Sequence, residues 1–380
     1  MSESEGAAHA TMRAFSVAAI ALAGLVLSLM PVMGGLDDSL LDREWRLLRR
    51  FDPRPAPDDI VIVGIDSASV DAIPAPPGLW HEPLGLALAR IAASKPRAIG
   101  LDYPLPERSF DSIRPGLDRA LFRGLAAAAQ NGPFVATLSI DSNTRSARRI
   151  YTPFLAVLGD TRLGIGLLAR DGDGVTRRFS ILIPTEDGGY PTFTGRLCRA
   201  LTKQCGDGLI DYALGAPFRY IPLKSVLEAQ DAEPLAKLFH DRIVLIGDAR
   251  QHSDRIDVPV NLAGWEREGH DSPAIVVHAQ SLRTALLDAA PREASRPLSV
   301  FFVFIASLLF LVRDWRLALV SLALAAALAF AAAVYALRGG LFVPVAAVIA
   351  TLVLAFAARA LAAWTAYHRT SRRMNIRHSA

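Results

Sequence analysis

The sequence predicts a membrane-anchored α/β protein: a mostly parallel sheet with helices on both faces, an inserted β-hairpin, and four transmembrane helices. Three observations carry this reading. Uncharged apolar runs occupy 14–33, 298–312, 317–337 and 341–358. Short runs rich in β-branched residues end in Asp at 60–66, 97–102 and 242–248. Helical apolar spacing fills the chain between the first two of them, and strand, helix, strand, helix is the pattern of a parallel sheet covered on both faces.

Lipid is the strictest solvent the chain meets, and the apolar runs answer to it. A helix rises about 1.5 Å per residue and the hydrocarbon core is about 30 Å thick, so roughly 20 apolar residues span it. The run 298–312 is short, and it must borrow flanking residues or sit in thinner lipid. The run 14–33 exceeds the roughly 7–15 apolar residues of a signal peptide and no A-x-A-like site follows it, so it reads as an uncleaved anchor. The expected layout is a cytoplasmic N-terminus at 1–13, a span at 14–33, a periplasmic domain at 34–297, three spans within 298–358, and a basic cytoplasmic tail at 359–380. Charge supports this orientation. Arg359, Arg369, Arg372, Arg373 and Arg377 follow the last span, Arg313 and Arg316 fill one loop, and Arg338 stands alone in the opposite loop. Positive segments stay inside. Arg43, Arg46, Arg49 and Arg50 after the first span argue the other way against Arg13, but three consecutive boundaries near the C-terminus agree. The expected location is the bacterial inner (plasma) membrane, with the large domain periplasmic or extracellular.

Within that domain, 38–51 (DSLLDREWRLLRRF) sets Leu40, Leu41, Trp45, Leu48 and Phe51 on one helical face. Asp52-Pro-Arg-Pro-Ala-Pro57 breaks this helix. The strand at 60–66 follows, then a helix opened by Pro83, the strand at 97–102, and a helix from about Pro115 that stops at Asn131-Gly-Pro133. PFVATLSI, 133–140, reads as the next strand. LGIGLLA and VTRRFSILI flank Arg170-Asp-Gly-Asp-Gly174 and read as a β-hairpin. A helix follows around 193–203. AIVV, 274–277, reads as a strand before a helix that starts at His278.

Candidate chemistry is sparse. Asp66, Asp102 and Asp248 stand at the C-terminal ends of predicted parallel strands, the edge where open α/β sheets bind ligands. Together they suit a divalent cation or a cationic ligand; each alone suits a helix or loop cap. Trp80 is either a packing residue under a loop or a surface on which a ligand stacks. Asp171-Gly-Asp-Gly174 resembles half a calcium loop but lacks the distal Glu, so a turn is the better reading. No G-x-G-x-x-G, G-x-S-x-G or H-E-x-x-H occurs, so no cofactor and no catalytic residue is expected, with an unrecognised periplasmic hydrolase as the residual alternative. The 380 residues carry Lys+Arg 41 against Asp+Glu 37, a net charge of +4, with no basic stripe of the kind nucleic acid needs. Cys198 and Cys205 are too few for a zinc site. They form a disulfide or remain two thiols in one helix. Seven helical residues span about 10 Å, and a bridge needs Cα atoms within about 7 Å, so the disulfide requires the helix to end near Thr202.

The ordered set of motifs resembles a known family. Arg46-x-x-x-Arg50 precedes Asp59-Ile-Val-Ile-Val-Gly-Ile-Asp66. Gly78-x-Trp80, Ala98-x-Gly-x-Asp102, Asp171-Gly-Asp-Gly-Val-Thr-Arg-Arg178 and Arg242-Ile-Val-Leu-Ile-Gly-Asp-Ala249 follow. Asp254-Arg255, Val258-Pro259 and Ile275-Val-Val-His-Ala279 complete it. The set resembles the type-two CHASE domain, an extracytoplasmic sensory module of bacterial receptors, over roughly 37–288 together with the three spans that follow. The resemblance implies a transmembrane sensor subunit that binds an unknown small ligand; with it, Asp254 and His278 join Asp66, Asp102, Asp248 and Trp80 as candidate ligand residues. Family members commonly carry histidine kinase, cyclase or protein kinase outputs. Here only an Arg-rich tail follows the last span, so the expected partner is a second copy or a separate output protein of kinase or cyclase class. A non-catalytic membrane scaffold is the alternative. The sequence departs from the family's W-P-W-P-R, showing Trp80-His-Glu-Pro83, so the role of that Arg is absent.

Overall fold

The computed structural model describes residues 3–141, 146–185, 188–266 and 269–378. The chain forms two compact units, one of residues 49–290 and one that joins 1–48 to 291–380.

In the first unit six strands form one sheet: β1 (Ile60–Ile65), β2 (Ala98–Asp102), β3 (Phe134–Leu138), β4 (Leu163–Ile165), β5 (Arg219–Pro222) and β6 (Ile243–Asp248). Their order is β4-β3-β2-β6-β1-β5, and every pair is parallel. β1, β2, β3 and β6 are almost wholly buried, which is why they read as continuous apolar runs without alternation. β6 enters last, between β1 and β2, and sets Gly247 beside Asp102 and Asp248 beside Ile65.

Helices cover both faces. On one face α4 (His81–Ala93), α5 (Leu117–Gln130), α6 (Thr152–Leu158), α8 (Leu223–Glu228) and α9 (Ala232–Phe239) pack on Val61, Val63, Leu101, Ala136, Val244 and Ile246. α4 and α5 meet backbone to backbone: a Cβ on Gly124 would lie 2.3 Å from the Gly85 carbonyl oxygen. On the other face α7 (Phe193–Ala200) and α10 (Ala274–Leu286) lie on the sheet. The strand glycines make room for them. A Cβ on Gly247 would stand 2.8 Å from Ile275, and one on Gly100 2.7 Å from the Phe193 ring. Gly100 and Gly247 thus serve close helix packing.

Two expectations fail here. The run 274–277 is the first turn of α10, whose residues 274–285 are all buried. A helix buried on every side shows no 3.6-residue period, so its β-branched start imitates a strand. The hairpin across 170–174 is not formed either. Its first arm contributes β4, which pairs with β3, while Arg178–Phe179 pair with Gly208–Leu209. The turn is real, with the Gly174 N–H donating to the Asp171 carbonyl at 2.9 Å, but its arms have other partners. An antiparallel pair forms instead between Leu182–Thr185 and Gly188–Pro191.

In the second unit, α1 (Glu3–Ser28) is followed by α2 (Pro31–Phe51), α11 (Arg296–Ser307), α12 (Trp315–Arg338) and α13 (Ala346–His378). Among the described residues three segments are long and apolar enough to cross a membrane: Ala10–Ser28, Trp315–Arg338 and Ala346–His368. The run expected as a further span forms a shorter apolar helix, Arg296–Leu311, whose last turn is 3₁₀. Its length is about 26 Å at the usual rises. Before α11, the Arg292 N–H donates to the Gly340 carbonyl at 2.9 Å and the Ala294 N–H to Phe342 at 2.8 Å. After it, the Val312 and Arg313 carbonyls accept from the Arg359 guanidinium at 2.9 and 2.7 Å. Asp37 caps the start of α13, accepting from the Ala346 N–H at 2.8 Å. Ile20, Val303, Ala306, Leu309, Val348 and Leu352 form the apolar centre of this unit, while Phe301, Phe302, Phe304 and Ile305 face outward.

Candidate functional site

The C-terminal edge of the sheet holds two different arrangements. The first is a dense polar cluster. Asp102 ends β2, and its side chain is 12% exposed. Burial pushes its carboxyl up to about 7, the Thr137 hydroxyl that donates to it opposes this, and repulsion from Asp248 adds to it. His278, on the first turns of α10, stands with Nε2 3.9 Å from Asp102 and 3.1 Å from the Gly166 carbonyl. Burial pushes its pKa down to about 4, so at neutral pH the ring is uncharged and Nε2–H donates to Gly166. Its Nδ1 is buried without a hydrogen-bond partner. Asp254 is exposed, takes a positive φ of 50°, and has its carboxyl pushed up by desolvation first and then by Asp102. Asp248 accepts from the Arg250 N–H at 2.9 Å, from its guanidinium, and from the Ser253 hydroxyl at 2.8 Å.

Asp66 stands apart from this cluster. It is the N-cap of α3 (Ser67–Ala72), accepting from the Ser69 N–H at 2.8 Å and hydroxyl at 2.6 Å, while its other oxygen accepts from Tyr220 at 2.8 Å. Among the described residues no group of three or more His, Cys, Asp or Glu side chains is placed to hold a metal ion. The edge carboxylates thus divide between a cluster around Asp102, Asp248 and Asp254 and the Asp66 cap.

The second arrangement is an open cavity of about 520 Å³ beyond the ends of β2 and β3. This lies within the range of small-molecule sites, about 300–1,000 Å³. Its apolar wall includes Trp80, Leu84, Tyr103, Phe110, Leu138 and Ile150. Trp80 is buried, with Nε1–H donating to the Ala75 carbonyl at 2.7 Å. Neighbouring backbone bonds hold the mouth in place. The Tyr151 N–H donates to Pro106 at 2.8 Å, the Arg148 N–H to Ser139 at 2.8 Å, and the Phe110 N–H to the Asp118 carboxylate at 3.1 Å. Tyr103 and Thr137 line the cavity while Asp102, adjacent to one and bonded to the other, belongs to the cluster behind it.

Sequence reasoning singled out Trp80, as a packing residue or a stacking surface, but missed Tyr103, Phe110 and the arginines of 108–149. A signal was present. Tyr103-Pro-Leu-Pro-Glu-Arg108 directly follows a strand end and cannot continue as helix or strand, which marks a shaped loop at the binding edge.

Other singled-out residues have structural partners. Asp171 and Asp173 hold the fully buried Arg177 guanidinium, at 3.1 and 2.7 Å, so the turn neutralises a cation of its own. Arg255 lies between Glu266 at 2.7 Å and Asp271 at 2.8 Å. Cys198 and Cys205 are joined, with Cα atoms 6.2 Å apart, because α7 ends at Ala200 and Thr202 turns the chain with a φ of 58°.

The CHASE2 domain family matches residues 17–334, the whole of the sheet unit and the membrane helices from within α1 through most of α12. The chain belongs to the CHASE2 domain family. CHASE2 domains are extracytoplasmic sensory domains, and this CHASE2 chain carries apolar helices that fit a membrane anchor. No curated protein matches the chain, and no solved structure matches it.

Proposed function

We propose that this CHASE2 protein is a non-catalytic sensor that binds a small molecule in the cavity beyond β2 and β3 and passes the signal through its membrane helices to a cytoplasmic or membrane output partner. The cavity carries the reading. It is the place where an open parallel sheet binds ligands, and its walls are apolar with few polar groups. In the carboxylate cluster the buried imidazole of His278 is committed to a backbone carbonyl, which suits a binding domain better than proton transfer.

The same reading makes α11 a fourth crossing. It is tied at one end to the loop before α13 and at the other to Arg359, within α13. Its exposed Phe residues suit lipid. Four crossings place both termini in the cytoplasm and the sheet unit in the periplasm, in accord with the Arg-rich C-terminal part of α13 beyond its apolar segment. Helical backbone continues past the last apolar segment to His378, a rigid route for movement of the span. A ligand moves such an equilibrium only by binding one state better than another.

Two measurements test this. A fluorescent protein fused after Ala380 is expected to be fluorescent in the cytoplasm; alkaline-phosphatase activity at the same position would overturn the orientation. Filling the cavity with Leu138→Trp is expected to abolish the signalling response while the protein still folds and inserts. A full response from that variant would remove the cavity as the sensing site.

A further inference from the structure

The wall and the mouth of the cavity differ in kind. The wall is aromatic and aliphatic. The mouth carries Glu107, Arg108, Arg148 and Arg149. Arg148 lies 3.6 Å from Glu107, with both side chains more than half exposed, so one positive charge is answered. Arg108 and Arg149 have no ion-pair partner among the described residues. Two guanidinium groups thus border an apolar chamber. Exposed arginines are common on any surface. These differ in lining a cavity whose loops are pinned by backbone bonds. His81 adds a deeper polar group: it is buried, lines the same chamber, and its Nε2 has no hydrogen-bond partner, the nearest carboxylate being Asp118 at 3.8 Å.

Guanidinium presents a planar fork of donors that matches carboxylate and phosphate oxygens. A cationic ligand would meet net repulsion at this mouth, and a purely apolar one would leave the fork unused. We propose that the cavity binds a small organic anion, a carboxylate or phosphate monoester on an aromatic body, with its charged end at Arg108 and Arg149 and its body against Phe110, Leu138 and Ile150. This rests on the cavity being the ligand site of the sensor.

The test uses the full chain in nanodiscs and isothermal titration. The acids are indole-3-acetate, 4-hydroxyphenylacetate and phenyl phosphate. Their counterparts are indole-3-acetamide, 4-hydroxyphenylacetamide and the cation tyramine. At least one acid is expected to bind saturably, at least about tenfold tighter than its uncharged or cationic counterpart, and more weakly as salt rises. Comparing the carboxylates with phenyl phosphate tells which anion the fork prefers. Arg108→Ala and Arg149→Ala are each expected to weaken the acid about tenfold, as loss of one charge-assisted bond does, with partial rescue by Lys. Both side chains are on the surface, so thermal unfolding should be unchanged. If the amides bind as tightly as the acids, or the Arg variants bind unchanged while Leu138→Trp abolishes binding, the anion proposal falls and the cavity stands. If none of these compounds binds below ~10 mM, the anion proposal falls; if Leu138→Trp leaves binding intact, the cavity itself is not the site and the sensor reading falls with it.

Discussion

The cavity and the carboxylate cluster sit at the same edge of one parallel sheet, and they solve opposite problems. Around the cavity apolar side chains face open space, and Arg108 and Arg149 at its mouth have no ion-pair partner among the described residues. In the cluster the same strand ends are roofed by α10 and the loop after β6, and the polar groups turn on one another. Asp248 takes up Arg250 and Ser253, His278 takes up a carbonyl, and burial holds the proton of Asp102 up to about pH 7. A strand-end carboxylate is therefore no evidence of a ligand by itself. What decides is whether a helix closes over it.

The largest expected effect separates the two regions by pH. Folded Asp102 holds its proton to about pH 7, whereas an unfolded Asp releases it near 3.8. The folded state binds more protons in that window, so the contribution of Asp102 to stability is present below about pH 4 and lost as pH rises through 7. His278 runs the other way, its lowered pKa adding stability as pH rises from about 4 to 6.5. Asp102→Asn keeps the shape and has no proton to lose. Its unfolding free energy should exceed that of the parent above pH 7 by up to about 4 kcal/mol, at 1.36 kcal/mol per unit, and the difference should vanish toward pH 4. A constant difference across denaturant titrations at several pH values would mean that the carboxyl is ionised in the fold. Ligand affinity in the cavity should change little.

Gly124→Ala attacks the other side. A methyl there meets the Gly85 backbone, which cannot swing away as a side chain can. Overpacking of this kind costs about 1–3 kcal/mol. Because α4 carries Leu84 and α5 carries Leu121, both on the cavity, the variant should lose ligand affinity while its pH profile keeps the shape set by Asp102. A loss of the pH profile together with affinity would show that the two regions form one mechanical element.

Opening the Cys198–Cys205 bridge is the control remote from the comparison. The closed loop is short, and the chain-entropy estimate is about 2.5 kcal/mol. Cys198→Ser is expected to lower the melting temperature and leave both the pH profile and the affinity ratios alone. Labelling of unreduced, denatured parent with a thiol reagent should give no signal; two labelled thiols per chain would refute the bridge.

Trp80→Phe gives the smallest effect. It removes one buried hydrogen bond to the Ala75 carbonyl, at about 1–2 kcal/mol, and leaves a ring in place. Unchanged ligand affinity would identify Trp80 as packing beneath the 75–80 loop. A tenfold loss would make it a stacking surface.

By itself the sequence determined the elements whose physics is local or one-dimensional. Apolar length marked the membrane helices, buried β-branched runs marked β1, β2, β3 and β6, and Asn131-Gly-Pro133 ended α5 where it does end. The order of motifs pointed to the CHASE2 family. Tertiary structure alone decided the rest. α10 imitates a strand until its burial on all sides is known. The arms beside Asp171-Gly-Asp-Gly174 look like mates until β3 and Gly208–Leu209 claim them. Asp66, Asp102 and Asp248 look equivalent along the chain, since each ends a strand. Only the insertion of β6 between β1 and β2, and the placement of α10 above them, makes the first a cap, the second a buried acid and the third the partner of Arg250. The cavity was hidden for the same reason. Its wall joins residues from 77 to 150 through side-chain packing that leaves no period or spacing in the sequence.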